Sequence, residues 1–277
     1  MTARAESFEA VLPVLTLILF SFTTSPSLGQ EPSTEELARV AQNPIADLIS
    51  VRFQNNINFG IGPHDRTQNV PNIQPVIPFS VGDWNVITRT IAPVISQPDV
   101  SESDGSTFGL GDINTTWFLS PAKPGKLLWG LGPILSFPTA TDEALGSEKW
   151  GLGPSAIVLA MPENWAVGGL VSNVWSVAGD SDRADGNKMT FQYFVNYNFS
   201  DGWYLTSAPI ITADWEADSD DRWLVPFGGG VGKITRIGKQ PIDVSLQGYD
   251  NAIHPDDTPY PDWTLRFQVQ FLFPKGK

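Results

Sequence analysis

Trp263-Thr-Leu-Arg-Phe-Gln-Val-Gln-Phe-Leu-Phe273 is the stretch on which the reading of the whole chain turns. Trp263, Leu265, Phe267, Val269, Phe271 and Phe273 are apolar, whereas Thr264, Arg266, Gln268 and Gln270 between them are polar. Successive side chains of a strand point to opposite faces, so this segment has one greasy face and one wet face. At roughly 3.3 Å per residue such a strand reaches ~36 Å. A tilted strand needs only about 9–11 residues to cross a bilayer.

The same alternation recurs upstream. Ile49, Val51, Phe53, Ile57, Phe59 and Ile61 share one parity, and Arg52, Gln54, Asn56, Asn58 and Gly60 share the other. Further on, Phe191, Tyr193, Val195, Tyr197 and Phe199 oppose Gln192, Asn196 and Asn198. Twelve strand candidates follow, near 48–62, 70–82, 84–97, 107–119, 127–138, 150–161, 165–178, 188–200, 203–215, 223–235, 241–250 and 262–273. Their connections alternate in kind. Gly82-Asp83, Pro162-Glu163-Asn164 and Asp201-Gly202 are short, and 121–126 and 236–240 are basic. The stretches 99–106, 139–149, 179–187, 216–222 and 251–261 are longer and acidic. Short turns at one end and long loops at the other describe an all-β, up-and-down antiparallel transmembrane β-barrel of about 12 strands in a bacterial outer membrane.

The N-terminus agrees with export. Arg4 precedes the apolar run Val11–Phe22, and Ser27-Leu28-Gly29 offers small residues before a cleavage point, so residues 1–29 read as a secretory signal peptide. Residues 30–47 then read as a periplasmic segment with a short helix, since Ser33 and Glu36 fit a capping box and Pro44 ends it. Residues 48–277 form the barrel. The net charge is −13, and losing Arg4, Glu6 and Glu9 leaves −12, which argues against nucleic-acid partners. The absence of cysteine removes disulfides, thiolate zinc sites, Cys nucleophiles and N-terminal Cys lipidation together.

Tryptophans gather at strand ends. Trp84, Trp165 and Trp203 follow short turns, while Trp150, Trp215, Trp223 and Trp263 border long loops, as two aromatic girdles do. With lipid against the apolar parity, the polar parity lines the lumen: Arg52, Gln54, Asn56, Asn58, Gln74, Arg89, Asn114, Gln192, Asn196, Asn198, Asp243, Gln247, Arg266, Gln268 and Gln270. This amide-rich, mixed-sign set suits a narrow hydrogen-bonding channel, or equally a plugged polar core. Phe108-Gly-Leu-Gly111, one of four such aromatic-glycine repeats, strains the pattern, because Asp112 and Asn114 share the parity of Phe108. Prolines 75, 78, 93, 133, 154, 209 and 226 fall inside the candidate strands, so bulges or interruptions are expected near several of them.

Enzymatic chemistry has little to work with. Only His64 and His254 exist, both in outer loops, and a Ser-His pair needs a third orienting group. Asp180, Asp182 and Asp185 are carboxylates at spacings a Ca²⁺ ion could use, but the spacing departs from an EF-hand loop. No cofactor is implied. The expected partners are membrane lipid and lipopolysaccharide around the acidic loops, small solutes in the lumen, and the barrel-assembly machinery through the Phe271-Leu-Phe273 end.

Several stretches also carry a family likeness: Asn43-Pro-Ile-Ala-Asp-Leu-Ile-Ser-Val51, Phe53-Gln-Asn-Asn56, Arg66-Thr-Gln-Asn69 and Asn72-Ile-Gln-Pro-Val-Ile-Pro-Phe79. Gly109-Leu-Gly-Asp-Ile113, Phe137-Pro-Thr-Ala-Thr141, Gly179-Asp-Ser-Asp-Arg183, Leu265-Arg-Phe267 and Phe271-Leu-Phe-Pro274 extend it over the mature chain. The chain resembles Gram-negative outer-membrane proteins often labelled neuromedin U, related to transporters assigned to phenol-degradation (meta-pathway) operons. The resemblance implies an outer-membrane barrel with a role in passage of small, aromatic or weakly polar molecules, and it supplies no catalytic residues. The alternative is a non-conducting structural or surface-interaction barrel.

Overall fold

A peptide group without a partner in hydrocarbon costs several kcal/mol, so each strand in a bilayer must be hydrogen-bonded on both sides. The computed structural model describes residues 33–101, 104–255 and 259–274. The expected signal peptide lies outside them, as do Glu102, Asp256 and Asp257 of the acidic loops. The strand segments are β1 (Ile49–Ile61), β2 (Arg66–Val81), β3 (Trp84–Pro98), β4 (Ser106–Leu110), β5 (Ile113–Pro121), β6 (Leu127–Phe137) and β7 (Lys149–Ala160). They continue as β8 (Trp165–Gly179), β9 (Asn187–Asn198), β10 (Trp203–Ser207), β11 (Ile210–Asp214), β12 (Trp223–Ile237), β13 (Gln240–Ile253) and β14 (Trp263–Phe273).

Segments β4 and β5 form one interrupted stave, because both pair with β3, and β10 and β11 form another, because both pair with β9 and β12. Twelve antiparallel staves result, joined in sequence order. The barrel closes where β14 pairs with β1, in a register running from Ile49↔Phe273 to Phe59↔Trp263. The greasy face of β14 turns outward: Phe267 and Phe273 are exposed, whereas Arg266, Gln268 and Gln270 are buried. The chain is thus a closed outer-membrane barrel with its apolar parity toward lipid.

Some prolines break the ladder and some do not. Pro209 lies in the gap between β10 and β11, Pro226 sits at a register shift against β13, and Pro93 marks the change of partner from β5 to β4. Pro133 and Pro154 face each other across β6 and β7. Pro78 lies within continuous pairing of β2 with β3, and Pro75 pairs with Val51 of β1 while the β2–β3 ladder skips it without a change of register. The conflict at Phe108 resolves at the other break. Phe108 is 73% exposed on β4, the ladder stops at Gly111–Asp112, and β5 restarts with Asn114, Thr116 and Phe118 on the inner side.

Helix α1 (Thr34–Ala41) starts as the capping box predicts: Glu36 N–H donates to Ser33 Oγ at 3.2 Å, and Ser33 N–H donates to Glu36 Oε2 at 2.8 Å. It does not stand free. Leu37, Ala38, Ala41 and Leu48 pack with Tyr204, Ile234 and Leu272, which are inward side chains of β10, β12 and β14. Ile45 joins a second cluster with Ile87, Phe118, Ile157, Leu159, Ala166, Leu170 and Phe194. Part of the barrel interior is therefore an apolar core, capped by the N-terminal segment.

Phe118 is fully buried in that core. Its replacement by alanine should lower folding stability by about 3–5 kcal/mol. Guanidinium titration in lipid vesicles, followed by tryptophan fluorescence, measures this; a loss below about 1 kcal/mol would mean that the inner cluster is not packed.

Candidate functional site

Closure of β1 on β14 sets polar side chains opposite one another along the inner wall. Arg52 faces Gln270 in register, and its Nε and Nη2 donate to Gln270 Oε1 at 3.2 and 2.8 Å. Asn56 faces Arg266, whose Nε donates to Asn56 Oδ1 at 2.9 Å. Asn58 accepts from Thr264 Oγ1 at 2.7 Å and donates to Gln68 at 2.7 Å. Directly opposed residues of a ladder are near enough for such pairs. The rungs run along β1 from Arg52 to Asn58.

The inner space forms two chambers. The lower one, about 100 Å³, has Arg52, Gln54, Gln74, Arg89, Gln192, Asn196, Asp243, Gln247, Arg266, Gln268 and Gln270 on its wall. Residues 40–44, Ala46 and Leu48 of the N-terminal segment line it too. The upper one, about 380 Å³, includes Asn114. Arg89, Leu170 and Gln192 border both and so mark the waist. Asn198 lies at the short-turn end of the barrel, where its side chain exchanges hydrogen bonds of 2.9 and 3.1 Å with Gln42. Arg39 donates to the carbonyls of Met161 and Glu163, at 3.0 and 2.9 Å, in the short turn between β7 and β8.

Three guanidiniums, Arg52, Arg89 and Arg266, face the lower chamber against one carboxylate, Asp243. Asp243 accepts from Tyr204 Oη at 2.6 Å. Arg266 also repairs the wall: its Nη1 donates at 2.8 Å to the carbonyl of Ala208 in the β10–β11 gap, and Tyr249 Oη accepts from the Ala208 N–H at 3.0 Å. The Arg266 guanidinium lies 4.9 Å from the centre of the Tyr249 ring. Buried charge and broken ladder thus satisfy each other.

Several interior residues keep the alternation but depart from the expected set of polar inward side chains. Ile87 shares the parity of Asn85 and Arg89, and Phe118 that of Thr116 and Ser120, so hydrophobicity alone would have sent both outward. Tyr204, Lys149, Lys188 and Asp112 also face the interior and were not in the sequence-derived set. Parity relative to the polar neighbours was the available signal. The girdle tryptophans Trp84, Trp165, Trp203, Trp150, Trp215, Trp223 and Trp263 are all partly exposed on the barrel surface, and Trp117, Trp129 and Trp175 join them.

The outer-loop carboxylates are engaged singly. Asp185 pairs with Lys149 at 3.0 Å, and Asp180 accepts from the Asp182 N–H at 2.8 Å. Among the described residues no group of three or more His, Cys, Asp or Glu side chains is placed to hold a metal ion. His64 lies in the β1–β2 turn, and the His254 ring contacts the Pro255 carbonyl at 3.0 Å.

No family model matches the chain, and no curated protein matches it. Among solved structures, an outer-membrane channel from Pseudomonas putida F1 superposes with a TM-score of 0.61 and 18% identity, covering 82% of this chain and 94% of that one. The outer-membrane phospholipase of Salmonella typhi, a dimer with bound calcium, gives 0.46 and 12% identity over 85% of this chain and 95% of that one. The P. putida toluene transporter TodX gives 0.40 and 10%, covering 87% and 92%. The first likeness shows a shared outer-membrane barrel fold.

Tyr204→Phe would leave the Asp243 carboxylate without its buried donor. The variant should lose about 1–3 kcal/mol of stability. The same titration reads it, and an unchanged midpoint would mean that water already serves Asp243.

Proposed function

We propose that this barrel is a conduit for small solutes across the outer membrane, with the N-terminal segment as the closure of its periplasmic end. In this reading residues 1–29 are the export signal, 30–47 the closure and 48–277 the wall, and the fifteen amide and charged side chains predicted from parity line the path. Lipopolysaccharide around the acidic loops and the barrel-assembly machinery are the partners it implies. The observation that carries it is two chambers in line, meeting at Arg89, Leu170 and Gln192, with residues 40–48 closing the inner one.

Volumes say why the closure must move. A dry cavity of about 150 Å³ accepts a benzene molecule. The outer chamber exceeds this and the inner one, at about 100 Å³, does not. Passage of an aromatic or weakly polar solute therefore requires residues 40–48 to withdraw. Burying a Leu or Ile side chain contributes about 1.5–3 kcal/mol, so Leu37, Ile45 and Leu48 hold the segment firmly, aided by Arg39 and Gln42. The same constriction supports the second reading, a barrel that conducts nothing.

Planar-bilayer conductance and liposome swelling separate the two. Arg39→Ala combined with Ile45→Asp should raise conductance severalfold over the native chain. Gln42→Cys with Asn198→Cys, bridged by a short bis-maleimide, should abolish it; the native chain has no cysteine to confuse the labelling. A released variant that still admits no small solute would sink the conduit and leave the closed barrel.

A further inference from the structure

We infer that the outer chamber is a binding site for a small organic carboxylate, seated with its anionic head on Arg89. This deepens the conduit reading and rests on it for the route by which the ligand arrives. The chain as a whole carries −13, and its outer loops are acidic, yet the groups facing the chambers are mainly cationic. In the outer chamber these are Lys188, Lys149 and Arg89, opposed by the single carboxylate Asp112.

Their existing partners differ. Lys149 is paired with Asp185 at 3.0 Å and Lys188 with Asp214 at 3.3 Å. Asp112 is occupied by the loop above it, accepting from Ala140 N–H at 3.2 Å and from Ser147 N–H and Oγ at 2.7 Å each. Arg89 makes one long bond, 3.3 Å from Nη2 to the neutral amide of Gln74. Among the described residues no carboxylate lies within ion-pair distance of it. Arg52 lines the inner chamber together with Arg89, and it gives its own donors to the neutral Gln270. A guanidinium with most of its donors unspent, backed by a second one, is a fork for a carboxylate, and the charge-assisted bond formed there is about twice as strong as a neutral one.

The remaining wall fixes the ligand's other end. Ile91, Ile134, Leu170, Val174 and Ile210 line the same chamber. At about 380 Å³ it falls within the ordinary range of small-molecule sites, roughly 300–1,000 Å³. An inorganic anion would leave this apolar wall uncovered, and a neutral hydrocarbon would leave Arg89 unpaired. A compact carboxylate with an aromatic or branched body satisfies both surfaces.

The probe is benzoate, with benzamide as its neutral match, measured by equilibrium dialysis against the full-length barrel in nanodiscs. Benzoate should bind at least about tenfold tighter than benzamide. Arg89→Gln should reduce benzoate to the benzamide level, and Arg89→Lys should keep part of the preference. Gln74→Glu supplies an internal counter-ion and should weaken benzoate alone, while Ile134→Ala should weaken both ligands alike. Heat-modifiable mobility verifies that each variant is folded. Equal affinity for the two probes, or full benzoate affinity in folded Arg89→Gln, would overturn the site. Binding needs no passage, so discrimination in a non-conducting barrel upholds the site while the conduit fails, and conductance without discrimination does the reverse.

Discussion

The hydrocarbon core of a membrane offers the backbone no partner, so the pairing of β14 with β1 is the contact on which everything else depends. Without it two edges would lie open in lipid. With it, strand parity acquires a fixed meaning: one face is solvated by acyl chains and the other encloses whatever the protein keeps from them. The same register that closes the wall sets Arg52 opposite Gln270 and Asn56 opposite Arg266. Closure of the backbone and placement of the charges are one event.

The wall is not uniformly laddered, and its repair links it to the lumen. Around Ala208 and Pro209 the stave has no continuous strand, and the Ala208 N–H and carbonyl turn to Tyr249, Arg266 and Gln192. Opposite, β12 supplies Gly228, Gly229 and Gly230, where a Cβ would collide with neighbouring backbone, and Ser207 Oγ donates to the Gly228 carbonyl at 2.7 Å. A side chain serving both a wall carbonyl and a lumen amide cannot be judged by pore lining alone. Arg266 is such a residue, with Nε on Asn56 and Nη1 on Ala208.

Alternation made the barrel legible because lipid tests every outward residue of every stave alike. It made β14 and β1 legible most of all, since their inner residues are polar without exception between Arg52 and Asn58 and between Thr264 and Gln270. The interior of β3, β5 and β7–β9 was less readable. There Ile87, Phe118, Leu159 and Phe194 face inward, and an apolar residue carries no label saying whether lipid or core covers it. The capping box located helix α1, but a cap is a local interaction and says nothing of where the helix docks. The breaks were half-legible: proline removes a donor, yet Pro75 and Pro78 show that the lost bond need not interrupt a strand.

The divided interior explains why a segment rather than a solid core closes the barrel. Side chains from twelve staves leave a cavity at the inner end, and three of those that line it are arginines. Residues 37–48 fit between the two halves, with Ile45 on the apolar side, Leu37, Ala41 and Leu48 against Tyr204, Ile234 and Leu272, and Gln42 on Asn198 at the rim. Their apolar burial offsets the cost of keeping guanidiniums out of water nearby. A closure stabilised in this way rests on the same contacts that would otherwise be a permanent core, but it enters from one chain end and crosses no strand. In the proposed conduit it leaves without breaking a single rung of the wall.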